Sequence, residues 1–232
     1  MLLRRLPVVR PVLKVAGEPA LAVLRDRPYA MVALLNTVLL LYMPMLSLVV
    51  PLWIVQRTEA PRWIVSAMLI LNTLSVVLFQ VRVAKRVTGL RSATRMVRWA
   101  GALMTACCAV FALSASGRSA WSAAAILLAA AALQVTAEMM QASGSWEISF
   151  TLAPADKQGQ YQGFFGSGVA VARMAGPLLL TTLVLGLGQA GWIVLGGLFL
   201  VTACAMTPAV RHAQRRTTNA PAASVSPVLA AA

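Results

Sequence analysis

Residues 130–185 read AAALQVTAEMMQASGSWEISFTLAPADKQGQYQGFFGSGVAVARMAGPLLLTTLVL, and this stretch decides the fold. Two apolar runs of helical length flank a short polar loop at residues 153–160. Each run carries one charge near mid-membrane that hydrocarbon would reject, Glu138 in the first and Arg173 in the second. Such a charge costs about 2.5–3.5 kcal/mol or more at membrane depth, so it usually faces a bundle interior or a watery cavity. The stretch predicts two antiparallel membrane-spanning helices.

The two charges are predicted to lie at equal depth. If the first helix ends near Phe150 and the second begins near Tyr161, Glu138 and Arg173 are each about 18 Å from the loop at about 1.5 Å per residue. They are therefore candidates for an ion pair or for proton coupling. The alternative, in which each charge lies apart and meets its own water or carbonyl, is equally compatible with the sequence.

The first run also carries a polar stripe. Gln134, Glu138, Gln141 and Ser145 follow the spacing of one helix face. A polar stripe inside a membrane either lines a cavity or forms hydrogen bonds that hold helices together. We interpret this one as cavity-lining because it contains an acid.

The composition indicates a membrane protein. The chain has 232 residues, 59% of them hydrophobic, and a mean hydropathy of +0.79. Stretches of about 20 uncharged apolar residues match the hydrocarbon thickness of a bilayer. Six such stretches predict an all-α protein with membrane spans at residues 29–55, 63–83, 97–115, 121–150, 161–185 and 192–210, numbered spans 1 to 6.

The net charge of +14 is explained by topology, without any nucleic acid. Sixteen Lys and Arg residues lie before span 1, between spans 2 and 3, between spans 4 and 5, and after span 6. The opposite side has only Arg57, Arg62 and Arg118. Because cytoplasmic loops carry the excess of positive charge, we expect a multi-pass protein of the cell inner (plasma) membrane with both termini in the cytosol.

Three regions are expected along the chain. Residues 1–27 form a basic cytosolic segment, residues 28–211 the six-helix membrane domain, and residues 212–232 a disordered cytosolic tail. The three cysteines all fall within predicted spans and are interpreted as small apolar fillers. The sequence therefore indicates no metal site and no cofactor.

Two features of span 1 predict its local geometry. Asp26 can cap its first turn, and Pro28 suits that turn. Pro44 lies in the middle of the span, where it removes one backbone hydrogen bond and crowds the carbonyl of Leu40. We therefore expect a kink at Pro44.

Polar residues are unevenly shared among the spans. Candidate cavity-lining residues are Asn36, Tyr42, Asn72, Gln134, Gln141 and Ser145. Spans 1, 2, 4 and 5 carry Asn, Gln, Tyr, Glu or Arg well inside the membrane, whereas spans 3 and 6 carry none of these there. This order predicts two three-helix repeats of inverted topology, with spans 3 and 6 on the lipid-facing outside.

Span 5 also carries a face of small residues. Gly168, Ala172 and Gly176 recur every four residues and are followed by Pro177. Such a face allows close contact between helices. It predicts a packing interface.

These residues resemble the carboxy-terminal half of a major facilitator superfamily permease of the bacterial drug-exporter type. Residues 137–140 and 152–163 are similar to an acid-bearing helix and its following loop in such exporters, and Gly176-Pro177 is similar to the family's packing helices. Residues 84–91, AKRVTGLR, resemble a degenerate copy of the family's Gly-x-x-x-Asp-Arg-x-Gly-Arg-Arg loop, with Lys85 in place of Asp and one extra residue before Gly89.

The departure from the family is size. The family has twelve spans in two pseudo-symmetric halves, with the substrate site between them. The resemblance implies that residues 1–27 correspond to the central linker, spans 1 and 4 line a cavity, and spans 2 and 5 contact the other half. This chain would then be a truncated gene product, or would act with a second six-helix half or as a homodimer.

The leading hypothesis is a secondary transporter, or half of one, that exports small molecules such as drugs across the lipid bilayer in exchange for protons. Glu138 is the candidate proton carrier, and a static buried ion pair is its structural alternative. A non-transporting fragment or scaffold is the alternative function. An intramembrane enzyme fits poorly, because the rhomboid-like Gly-x-Ser-Gly string is incomplete at Phe165-Gly166-Ser167-Gly168 and His212 lies outside the spans.

Overall fold

A computed structural model describes residues 22–116 and 119–219, and in these ranges the regular structure is entirely helical. The α-helices are α1 (Ala22–Arg25), α2 (Arg27–Leu39), α3 (Tyr42–Pro44), α4 (Val50–Arg57), α5 (Trp63–Ala84), α6 (Leu90–Leu113), α7 (Ala120–Leu152), α8 (Gln158–Leu180) and α9 (Gln189–Asn219). Two π-helical turns, Met45–Val49 and Thr181–Leu185, and a 3₁₀ turn, Ser114–Ser116, complete them.

Six helical segments are long and apolar enough to cross a membrane, as the sequence predicted. They are span 1 (Arg27–Arg57), span 2 (Trp63–Ala84), span 3 (Leu90–Ser116), span 4 (Ala120–Leu152), span 5 (Gln158–Leu185) and span 6 (Gln189–Arg216). Their lengths and composition indicate a multi-pass membrane protein.

The helix cap predicted for the start of span 1 is confirmed. The Asp26 carboxylate accepts a hydrogen bond from the backbone N–H of Tyr29 at 3.3 Å, and Pro28 lies in the first turn. The α-helix ends at Leu39, and after Pro44 the backbone runs as a π-helical turn. A wide turn of this kind is an identifiable cause of a bent helix, because it disturbs the regular hydrogen-bond ladder.

Two boundaries differ from the prediction because helices continue beyond the hydrocarbon. Span 3 begins at Leu90 rather than residue 97, so Arg91 and Arg95 of the expected inner loop lie on the helix itself. The last helix continues to Asn219. The prediction of a disordered tail from residue 212 is therefore wrong for residues 212–219. Residues 1–21 and 220–232 lie outside the described part of the chain.

When each span is placed beside the spans that it contacts most, the order is 2–4–3–6–1–5, which we call the neighbour order. Spans 3 and 6 therefore lie in the middle of this order and contact each other extensively. In the most apolar stretch of each span, the buried share is only 11% for span 2 and 28% for span 5, whereas it is 44% for span 3. The expectation that spans 3 and 6 are the outermost helices is thus not met in this chain alone, where spans 2 and 5 are the most exposed.

Small residues bring spans 3 and 6 into close contact. A Cβ atom added at Gly101 would meet Ala203 and would lie 3.1 Å from the carbonyl oxygen of Phe199. Across the same interface, the Thr105 hydroxyl donates a hydrogen bond to the carbonyl of Gly196 at 2.8 Å. Without a hydrophobic driving force between helices in lipid, this close packing and hydrogen bonding hold the pair together.

Candidate functional site

The candidate site is centred on Glu138 in the middle of span 4. At about 1.5 Å per residue, Glu138 lies about 21 Å from the Leu152 end of the helix and about 27 Å from the Ala120 end. Its carboxylate accepts a hydrogen bond from Asn72 Nδ2 of span 2 at 2.9 Å and another from Gln134 Nε2, one turn away, at 3.3 Å. The site therefore joins spans 2 and 4 through neutral amide donors.

A second polar cluster joins span 4 to span 1. Gln141 Nε2 donates to Asn36 Oδ1 at 2.9 Å and to Ser145 Oγ at 3.0 Å. All three side chains are buried. The polar stripe predicted from the sequence thus divides into two parts, with Glu138 bonded to span 2 and Gln141 bonded to span 1.

Most of the candidate cavity-lining side chains are buried in this chain. They are Asn36, Tyr42, Gln134, Gln141 and Ser145. Asn72 is partly exposed, and so is the neighbouring Glu138. Asn36, Gln141 and Ser145 are hydrogen-bonded to one another, and the partly exposed part of the site lies between spans 2 and 4.

Arg173 does not pair with Glu138, so of the two alternatives that the sequence left open, the one in which the charges lie apart is found. Within the described residues, Arg173 has no ion-pair partner, and its side chain is exposed beside Met174, which is 82% exposed. The height estimate still applies, since Arg173 lies about 22 Å from the Gln158 end of span 5. The pair fails because span 5 packs mainly on span 1 and places Arg173 on its uncovered side.

The small-residue face of span 5 lies against span 1. Gly168 and Gly176 are buried where a Cβ atom would meet Thr37 and Pro44, respectively, and Ala172 between them is 1% exposed. Pro177 follows within the helix. Its carbonyl accepts a hydrogen bond from the Thr181 hydroxyl at 2.6 Å, just where the π-helical turn begins.

One polar contact near the site is not predicted by the sequence pattern. Gln80 Nε2 of span 2 donates to Ser143 Oγ of span 4 at 3.3 Å. Ser143 lies off the polar stripe, so the spacing that identified Gln141 could not find it. Together with Asn72 and Glu138, this contact ties spans 2 and 4 together at two heights.

A second missed cluster joins the start of span 1 to the start of span 5. The Tyr29 hydroxyl donates to the carbonyls of Tyr161 at 3.2 Å and Ser149 at 3.4 Å, and the Tyr161 hydroxyl donates to Asp26 Oδ2 at 3.1 Å. The two tyrosine rings meet edge to face at 4.6 Å. No local pattern predicts this contact, because more than a hundred residues separate its partners.

The Asn36–Gln141 hydrogen bond yields a stability prediction. We expect Asn36→Leu to lower the free energy of unfolding by about 0.6–2 kcal/mol, because it removes the partner of a buried amide. The double variant Asn36→Leu/Gln141→Leu should recover part of this loss, since no polar group then lacks a partner. Thermal unfolding in detergent checks both; losses that simply add would contradict the coupling.

Within residues 22–116 and 119–219, no group of three or more His, Cys, Asp or Glu side chains is arranged to hold a metal ion. The chemistry available at the site is therefore that of one carboxyl group among amides and hydroxyls. Comparisons with protein-family models, curated proteins and solved structures give no match.

Proposed function

We propose that this chain is half of a secondary transporter that exchanges protons for small molecules, in the direction of export. The observation that carries the proposal is the Glu138 carboxyl group, in the middle of a membrane-crossing helix and hydrogen-bonded to the neutral amides of Asn72 and Gln134. Ionisable groups at this depth are expensive and usually serve proton or substrate pathways.

The surroundings of Glu138 can serve both of its protonation states. The carboxylate accepts hydrogen bonds from the two amides. A protonated carboxyl needs an acceptor instead, and Gln134 Oε1 is buried without a hydrogen-bond partner. Rotation of the Gln134 amide would present that oxygen to Glu138. The half-buried carboxyl between spans 2 and 4 could then gain or lose a proton without leaving either state unsupported.

The neighbour order supports an inverted-repeat interpretation. Exchanging spans 1, 2 and 3 with spans 4, 5 and 6 converts the order 2–4–3–6–1–5 into its own reverse. The contacts 2–4 and 3–4 are thereby mapped onto the contacts 1–5 and 1–6, and the contact 3–6 onto itself, as two repeats related by a pseudo-two-fold axis require. This symmetry, together with the motif resemblance, favours a half-bundle of the major facilitator type.

The exposed spans 2 and 5 support a second half as partner. Span 2 carries a row of exposed apolar residues including Leu74, Val77 and Val81, and span 5 exposes Met174 and Leu178. In a two-half transporter, the equivalent helices contact the other half around a central substrate site. The partner is a second six-helix unit, either a different chain or a copy of this one, and the lipid bilayer surrounds both.

The direct test is proton movement in reconstituted vesicles. The chain is reconstituted at high protein-to-lipid ratio around a trapped pH-sensitive dye, and amphipathic organic cations are added outside. Substrate-dependent proton movement across the membrane is expected. If no compound moves protons, although cross-linking finds the chain assembled in pairs, the alternative of a non-transporting scaffold is favoured.

The topology is a separate prediction: the protein lies in the inner membrane of the cell, and both of its termini are in the cytosol. In a Cys204→Ala background, a cysteine at Ser119 should react with an impermeant reagent added outside intact cells, because its loop is on the side poor in Lys and Arg. A cysteine at Thr88, in the exposed turn after span 2, should react only after the cells are opened. The reverse labelling would contradict the orientation.

A further inference from the structure

A basic groove lies between the start of span 3 and the end of span 6. Its volume is about 490 Å³, and it continues into a neighbouring depression of about 600 Å³ at Thr88 and Thr151. Its cationic lining consists of Arg91, Arg95, Arg98, Arg211 and Arg215. No Asp or Glu from the described residues lines either space.

The arginines form two facing stripes. Arg91, Arg95 and Arg98 recur at the spacing of one helix face, and Arg211 and Arg215 are one turn apart on the neighbouring helix. Like charges at these spacings repel each other. The first stripe also lies at a helix N-terminus, where the helix dipole disfavours cations and the first turn contains no acid. An anion in the groove would relieve all three of these repulsions.

The groove also presents an unused hydroxyl. Thr207 lines it, and the hydroxyl oxygen is buried without a hydrogen-bond partner. A hydroxyl can donate to an anionic oxygen, as phosphate oxygens require. An arginine guanidinium is the side chain best matched to a phosphate, because its planar fork donates two parallel hydrogen bonds.

Its height on the bundle is that of lipid headgroups. Trp99 follows Arg98 directly and is 60% exposed, and Trp146, near the end of span 4 at the same side, is 68% exposed. Exposed tryptophans of a membrane protein mark the membrane–water interface. The helix end that carries the arginines therefore stands where lipid phosphates are found.

An apolar surface continues from the groove into the membrane. On span 6, Leu200 and Cys204 lie on the same face as Thr207 and Arg211, and both are exposed. On span 3, Ala102 and Ala106 continue the face of Arg91, Arg95 and Arg98. A basic end above an apolar strip matches a phospholipid, which carries a phosphate above acyl chains, better than a free phosphate ion.

We propose that the groove between spans 3 and 6 binds the phosphate of an anionic phospholipid, with its acyl chains along the apolar strip of the same two helices. Basic pockets between membrane helices on the cytoplasmic side bind anionic headgroups in this way. This site is separate from Glu138 and does not depend on the transport proposal.

The test is native mass spectrometry of the full chain in detergent with added phosphatidylglycerol or phosphatidylcholine. Phosphatidylglycerol is expected to remain bound and phosphatidylcholine to dissociate. Arg95→Gln/Arg211→Gln should weaken phosphatidylglycerol binding by about 25-fold, because each arginine near anionic lipid contributes roughly five-fold. Arg95→Lys/Arg211→Lys, which keeps the charge but loses the paired hydrogen bonds of the guanidinium, should weaken binding less than the glutamine variant.

The matched control is Lys85→Gln/Arg86→Gln. It removes the same charge from exposed positions at the same end of the bundle but outside the groove. The control should change binding by less than about two-fold. An equal loss in both double variants would overturn the site, because the effect would then be that of general surface charge.

A third arm separates lipid from soluble anion. Inorganic phosphate and glycerol 3-phosphate are added at millimolar concentration to the phosphatidylglycerol complex. Retention of the lipid supports the proposal. Displacement at these concentrations, or equal binding of phosphatidylcholine, would overturn the assignment to an anionic phospholipid.

Discussion

Glu138→Gln is expected to abolish proton-coupled transport while leaving the protein folded. The substitution keeps the shape and the amide oxygen can still accept the hydrogen bond from Asn72, so the contact between spans 2 and 4 survives. It removes the proton-binding group, because an amide does not titrate. The measurements are substrate-dependent proton flux in vesicles and the yield of monodisperse protein.

This expectation follows from the position of Arg173. An ion pair between the two residues would leave Arg173 buried and unpaired in Glu138→Gln, a defect that typically costs about 3–5 kcal/mol. Arg173 is instead exposed on the far side of span 5. Removal of the carboxylate therefore leaves no buried cation behind, and Arg173→Gln should leave the free energy of unfolding nearly unchanged.

Glu147→Gln is the matched control on the same helix. Glu147 is about 8 Å from the Leu152 end, and its carboxylate accepts a hydrogen bond from the Thr151 hydroxyl at 3.1 Å. This pair lies near the end of the span, so Glu147→Gln should retain proton flux. Full flux in a folded Glu138→Gln variant would reject the proton-carrier role.

The sequence predicted the number of spans and the local geometry of span 1, because both depend on nearby residues. Hydrocarbon thickness sets the length of an apolar run, and Asp26 and Pro44 act within one turn of their positions. The same local information could not place the start of span 3 or the end of span 6, since helices with arginine-rich ends can continue into the headgroup region at little cost.

The sequence indicated which polar residues share a helix face, but it did not predict their hydrogen-bond partners. Helical spacing placed Glu138 and Gln141 on one face, but it could not choose which neighbouring span each would contact. Equal height suggested Arg173 for Glu138, whereas the rotation of span 5 is fixed by Gly168 and Gly176 against span 1. Rotation about a helix axis depends on tertiary packing, which a single apolar run does not encode.

The contact between spans 3 and 6 predicts a large loss of stability from a single added methyl group. Gly101→Ala adds a Cβ atom that would meet the Cβ of Ala203 and lie 3.1 Å from the backbone carbonyl oxygen of Phe199. Neither neighbour is the end of a flexible side chain, so the helices themselves must separate. We expect the free energy of unfolding to fall by about 1–3 kcal/mol, as for other overpacked sites.

Gly197→Ala provides a control with the opposite sign. Gly197 also lies inside a long helix, but an added Cβ atom has nothing within 4 Å. Alanine there should raise the free energy of unfolding by up to about 1 kcal/mol, because it is the better helix former. Both variants replace glycine by alanine, Gly101→Ala in a packed contact and Gly197→Ala at an open position. Thermal unfolding of the two in the same detergent measures the difference.

The swap Gly101→Ala/Ala203→Gly tests whether the methyl collision causes the loss. It transfers the methyl group across the interface and removes the Ala203 Cβ that lies closest to the new one. The double variant should therefore be more stable than Gly101→Ala, although a second helix-interior glycine offsets about 1 kcal/mol of the gain. If Gly101→Ala is as stable as Gly197→Ala, spans 3 and 6 are not in the close contact that places them in the middle of the bundle.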